Sequence, residues 1–164
     1  REYVLRLYMP AAQASRAVDA SKYALAKDLA VWKKKARQSW DGIRIEHVEA
    51  DGVGDAVVLG TPITVRAFVA LGDLSPEDVV VETVYGRVDA DDRITRPEHA
   101  AMEAVEKYDG NRWQYRLVVT LDKNGPFGYT VRVLPHHDGL ASPQELGLQA
   151  VPPETVGLAD GVLR

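Results

Sequence analysis

The chain is 164 residues long, enough for one domain that buries a core of its own without staples. Its 24 acidic and 20 basic residues give a formal charge of −4 and are spread along the sequence, which leaves no footprint for nucleic acid or an anionic membrane surface. With no cysteine, disulfide frameworks, cysteine-ligated zinc and thiol catalysis are excluded, and a reducing, cytoplasmic setting is expected. No apolar run approaches the roughly 20 residues of a membrane-spanning helix, and no basic-then-apolar leader stands at the start.

The opening REYVLRLYMP begins without methionine or a cap signal, and reads as the continuation of something longer; a processed leader is the alternative. From residue 11 to 40 the alanine, leucine, lysine and arginine content predicts a helix, with Asp19 or Ser21 placed to cap its longer part. Leu25, Leu29, Trp32 and Ala36 recur at i, i+4, i+7 and i+11, a single face, with Trp40 one turn further on. Lys33, Lys34, Lys35 and Arg37 sit near the end where cations suit the helix dipole. A solvated face accounts for them better than a membrane-surface or calmodulin-type helix.

From Ile43 the period changes to two. IRIEHVEA alternates up to the turn Asp51–Asp55, and PITVRAFVAL sets Ile63, Val65, Ala67, Val69 and Leu71 on one face against Thr64 and Arg66 on the other. GDLSPED is a turn in which Pro76 presets φ and Asp73 or Ser75 bonds the local backbone. The next strand turns Val79, Val81 and Tyr85 inward and Glu82 outward. The stretch from Pro97 to Asn111 has helical composition but ends in the hairpin signal Asp109-Gly110, so at least its second half is expected as a strand. Trp113, Tyr115, Leu117, Val119 and Leu121 are in phase, as are Phe127, Tyr129, Val131 and Val133 after the turn at Lys123–Gly125. A short helical turn is expected at SPQELG, and the last dozen residues should fray.

About six or seven strands with hairpin links and no βαβ alternation predict a mainly β protein. The expected architecture is an immunoglobulin- or fibronectin-like antiparallel β-sandwich preceded by an N-terminal helical segment. The domain reading is 1–41 for the helical segment, 42–135 for the sandwich and 136–164 for an irregular tail.

Little in the chain points to catalysis. Asp51–Asp55 lacks the spacing, lysine and following helix of a phosphate loop, and no serine stands in a G-x-S-x-G elbow. Carboxylates are abundant, and abundance identifies no acid–base pair. His136 and His137 are adjacent on an extended segment and point to opposite sides, so no metal is expected of them. The aromatic residues are the sharper question, since exposed rings stack on sugars. Trp32, Trp40, Tyr85, Trp113 and Tyr115 are the candidates for contact with a carbohydrate or a neighbouring domain. Core placement is favoured for Trp113 and Tyr115, which share the phase of Leu117 and Val119, and helix docking for Trp32 and Trp40.

The stretch NGPFGYTVRVLPHHDGLASPQELGL, with LSPEDVVVETVYGRVD, the opening YVLRLYMPAAQASRAV and the later LAVWKKKARQSW, resembles the C-terminal end of bacterial, above all actinobacterial, α-glucan phosphorylases. The likeness runs in order from about residue 2 to about residue 150, and departs from a family pattern near LPRHPLLASP at His136 and Asp138-Gly139. It implies a parent enzyme that uses pyridoxal phosphate to release glucose 1-phosphate from α-1,4-glucan with inorganic phosphate. It also implies that the cofactor lysine and the substrate residues lie upstream, so no catalytic, cofactor-binding or metal-binding residue is assigned to this chain. The implied partners are the parent's catalytic domain, an α-glucan and a second copy of the chain. The two roles to separate are a non-catalytic module for packing or assembly and a glucan-binding module that holds polymer near the active site.

Overall fold

The computed structural model describes the backbone of residues 2–52, 59–91, 93–122 and 125–153, and side chains from residue 19 onward. Most of the Asp51–Asp55 turn, Lys123-Asn124 and the closing residues expected to fray lie outside the described residues.

The helix is longer than its cap signals predict. A single helix, α1 (Glu2–Ser39), runs for 38 residues and about 57 Å, through Pro10 and past Asp19 and Ser21. Helix propagation explains the difference: once a turn exists each further residue adds a hydrogen bond, and the alanine-rich sequence from 11 to 30 sustains it without a new start. A 3₁₀ turn, Trp40–Gly42, ends it.

Seven strands follow: β1 (Arg44–Asp51), β2 (Pro62–Ala70), β3 (Val79–Val88), β4 (Ile94–Ala101), β5 (Glu103–Asp109), β6 (Arg112–Thr120) and β7 (Phe127–Pro135). They form two antiparallel sheets ordered β1-β2-β6-β5 and β4-β3-β7. The first order is that of the A-B-E-D sheet of an immunoglobulin sandwich, with β4 an added strand beside β3 in the second. The free edge of β7 is met by the returning chain, where Ala150 exchanges both backbone hydrogen bonds with Val133.

The core lies between the sheets. Ile63, Val65, Ala67, Val69 and Leu71 are each 2% exposed or less, and Val81, Val131 and Val133 face them from the second sheet. Burying an aliphatic side chain of this size stabilises the fold by about 1.5–3 kcal/mol, which is why the two-residue period from Ile63 onward decides the register.

The segment with helical composition is strand throughout. Its first half belongs to β4 and its second to β5, joined by the buried Met102, where the chain passes from one sheet to the other. Cross-strand pairing outweighs intrinsic preference here, as strand context commonly does. Gly110, at φ 53°, supplies the left-handed residue of the Asp109-Gly110 hairpin. SPQELG makes two hydrogen-bonded turns, Glu145 N–H to Ser142 O and Gly147 N–H to Gln144 O, short of a helix.

Candidate functional site

α1 meets the sandwich near its C-terminal end through Asp78. The Trp32 indole N–H donates to Asp78 Oδ1 at 2.7 Å, while Asp78 Oδ2 accepts from Lys35 Nζ at 3.1 Å and from the N–H and hydroxyl of Ser75 at 2.9 and 3.0 Å. The local cause is the sequence Ser75-Pro76-Glu77-Asp78: Pro76 starts a single 3₁₀ turn, and Ser75 and Asp78 cap it reciprocally. Burial alone would raise the Asp78 pKa, but the hydrogen bonds from Ser75, Trp32 and Lys35 outweigh it and hold the carboxyl below its usual value.

The segment after β7 completes this junction. The His137 ring lies 4.9 Å from that of Trp32, and its Nε2 is 3.4 Å from Asp28 Oδ2. Leu29 packs on Gly139, where a Cβ would meet the leucine methyls at 3.2 and 3.3 Å, and Lys33 pairs with Glu145. Trp32 is thereby 8% exposed and Ala36 fully buried. One turn beyond Leu29 the stripe is bare: Leu25 is 66% exposed, and Tyr23 and Val31, on other sides of the helix, are 74% and 64% exposed.

The sandwich opens at its opposite end into a cleft of about 440 Å³, between the β3–β4 hairpin and the end of β6. Tyr85 stands in it half-buried, its hydroxyl 3.4 Å from Glu98 Oε2 and its ring 6.0 Å from that of Phe127. Burial first, then the charge and hydrogen bond of Glu98 and the charge of Asp122, raise the Tyr85 pKa. The β3–β4 pairing slips here: Tyr85 pairs with Glu98 and Arg87 with Thr95, leaving Arg96 and Pro97 opposite Gly86 alone. This is a β-bulge. Gly86 permits it, because a Cβ there would lie 3.0 Å from Ile94 and 3.2 Å from the carbonyls of Thr95 and Arg96. Arg96 has φ 52°, the only positive φ outside glycine among the described residues, a conformation costing a side-chain-bearing residue about 1–2 kcal/mol.

Trp40 and Tyr115 are buried in the sandwich and Trp113 is half-buried against its core. Trp40 is 8% exposed in the core, and its indole N–H has no partner among the described residues. Tyr115 is 4% exposed, its hydroxyl likewise without a partner, and burial pushes its pKa up to about 12. Trp113 is half-buried against the core, and its N–H donates to Asn111 Oδ1 at 3.1 Å. Asn111 in turn donates to the carbonyls of Gly72 and Leu74. Of the five aromatic candidates Tyr85 alone lines the cleft. Arg87, Arg96, Glu98 and Asp122, which join it there, carry no marker in the sequence beyond Pro97, a residue that inside a strand signals a bulge or an edge.

Among the described residues no three histidine, aspartate or glutamate side chains converge as metal ligands. Pyridoxal phosphate is carried on a lysine. Among the described residues no lysine lines the cleft; Lys22, Lys27, Lys34, Lys35 and Lys107 are exposed, and Lys33 is held by Glu145. The described residues therefore do not fit that cofactor. No described helix is long and apolar enough to cross a membrane.

The fold defines an immunoglobulin-type β-sandwich module carried on a long helix. Residues 40–153 match the glycogen phosphorylase C-terminal domain, and the chain belongs to that family. It is 40% identical over 148 residues to the glycogen phosphorylase of Mycobacterium tuberculosis (strain CDC 1551 / Oshkosh), covering 90% of this chain and 17% of that protein. It is 33% identical over 152 residues to the maltodextrin phosphorylase of Thermococcus litoralis, with the same two coverages. The chain thus spans about a sixth of the length of these relatives. Among solved structures, a Pseudomonas fluorescens alkylpurine DNA glycosylase bound to DNA aligns over 68% of this chain and 30% of its own, at 19% identity and a TM-score of 0.41. A likeness that weak carries no argument here.

Proposed function

We propose that this chain is the non-catalytic accessory module of an α-glucan phosphorylase, attached through α1 to the catalytic part of the same enzyme. In this reading the divisions are 1–41 for a helical segment that is the tail of the catalytic part, 42–135 for the sandwich and 136–164 for an irregular tail, whose residues 137–150 close on β7 and α1. The chemistry, release of glucose 1-phosphate from α-1,4-glucan with pyridoxal phosphate and inorganic phosphate, is assigned to the remainder of the polypeptide, in the cytoplasm. A role in assembling enzyme copies goes with the same attachment.

The observation that carries this reading is α1 itself. Its stripe is covered by the sandwich at Trp32 and Ala36 and bare at Leu25, and the same length of helix exposes Tyr23 and Val31 on other sides. A helix apolar on several sides belongs between neighbours and not in water. The family relatives, of which the chain spans 17%, supply the occupant: the rest of the phosphorylase. In the complete enzyme, Tyr23→Glu with Leu25→Glu is expected to split calorimetric unfolding into two transitions, the lower one belonging to the detached module. A single, unshifted transition in that variant would contradict the attachment.

A second reading, that the module holds α-glucan near the active site, is favoured by one observation. The cleft beside Tyr85 has the size of a ligand site and mixes an aromatic ring with paired charges.

A further inference from the structure

We propose that the cleft at the mouth of the sandwich is a binding site for a short neutral oligosaccharide, read by Tyr85, Arg87, Arg96, Glu98 and Asp122 over a floor of Phe127. That the sugar is an α-glucan rests on the second reading above; that the ligand is a neutral polyol rests on the cleft alone.

Among the described residues two guanidinium groups and two carboxylates line the cleft, so among these the charges balance and neither a phosphate nor a cation finds an excess of its opposite. What such a lining offers is donors beside acceptors. A sugar hydroxyl is both at once and is satisfied by an arginine on one side and a carboxylate on the other. The half-buried Tyr85 ring, with the buried Phe127 ring 6.0 Å behind it, provides the apolar surface that the C–H face of a pyranose requires. The volume of about 440 Å³ lies in the range of small-ligand sites and gives a short oligosaccharide room.

The backbone adds an independent reason. At φ 52° Arg96 holds a conformation that glycine would take without strain. A strained residue on the wall of a cleft is retained for what its side chain does. If Arg96 served only the bulge, glycine would serve better.

The test is an NMR titration of the 164-residue chain with maltohexaose. Saturable shifts are expected at the amides of Tyr85, Gly86, Thr95 and Gly125, and Glu98→Gln should weaken binding about 3- to 10-fold, the effect of one lost hydrogen bond. Arg96→Gly should weaken it similarly while leaving the thermal midpoint unchanged or raised, which a purely structural role for Arg96 does not predict. No shifts, or shifts gathered around Trp113, would overturn the cleft. Inorganic phosphate moving the same amides as strongly would overturn the neutral class. Xylohexaose binding as tightly as maltohexaose would uphold the cleft and overturn its assignment to α-glucan. Affinity electrophoresis on glycogen separates the two levels: retardation undiminished in Glu98→Gln overturns this cleft and leaves the glucan-holding reading standing, whereas an unretarded native chain overturns that reading.

Discussion

Replacing Asp78 with alanine is expected to lower stability by about 2–4 kcal/mol and the thermal midpoint by about 5–10 °C. The Asp78 side chain is 12% exposed and accepts from three residues on two elements. Its removal leaves the buried Trp32 indole N–H without a partner and strips the cap from the turn at Ser75, and an unpaired buried donor costs more than the bond itself was worth. Tryptophan fluorescence should shift to the red as Trp32 becomes wet. The same carboxyl gives the junction an acid limit. Because the folded state holds its pKa below the unfolded value, the contribution is complete above about pH 4 and is lost as pH falls through the folded value. Stability of the native chain should therefore fall more steeply between about pH 4 and pH 2 than that of Asp78→Asn. Equal slopes would mean that the four hydrogen bonds do not hold the charge.

The second large effect is expected at Trp40. Trp40→Ala should cost about 3–5 kcal/mol, the loss typical of removing a large aromatic side chain from a core. Trp40 stands where α1 ends and the sandwich begins, 8% exposed among the core residues. Trp40→Phe separates packing from hydrogen bonding. Since the indole N–H has no partner among the described residues, the phenylalanine variant forfeits volume alone and should cost under about 1.5 kcal/mol. Denaturant unfolding of both variants gives the comparison. Equal losses would show that the N–H is bonded in solution.

The sequence was informative where several local signals agreed. From Ile63 to Leu71 the alternation, the β propensities and the flanking turn signals agree, and the strand lies where they put it. The stripe Leu25, Leu29, Trp32, Ala36, Trp40 was legible for the same reason, although periodicity could not say that its C-terminal part is covered by this chain and its N-terminal part is not. For residues 97–101 the expectation was left open, because alanine and glutamate content reports helix preference, while the partner that makes them a strand, β3, is known only from the fold. The Asp78 clamp spans 46 residues of sequence to Trp32. Its local half was legible only as a turn in which Asp73 or Ser75 bonds the backbone; the reciprocal partner of Ser75 is Asp78. The cleft was not legible, because Tyr85, Glu98 and Asp122 come together only through pairing of strands and stacking of sheets.

The cleft and the junction lie at opposite ends of the sandwich. Sugar binding at one therefore leaves attachment at the other undisturbed, and either proposal can fail without the other. The attachment is the more general claim, because it gives the bare part of α1 its reason. Hydroxyl-radical footprinting tests it most directly, by comparing Tyr23 and Leu25 in the 164-residue chain and in the complete phosphorylase. At 74% and 66% exposure both should oxidise readily in the chain alone and be strongly protected in the complete enzyme. Equal oxidation of the two residues in both would contradict the account.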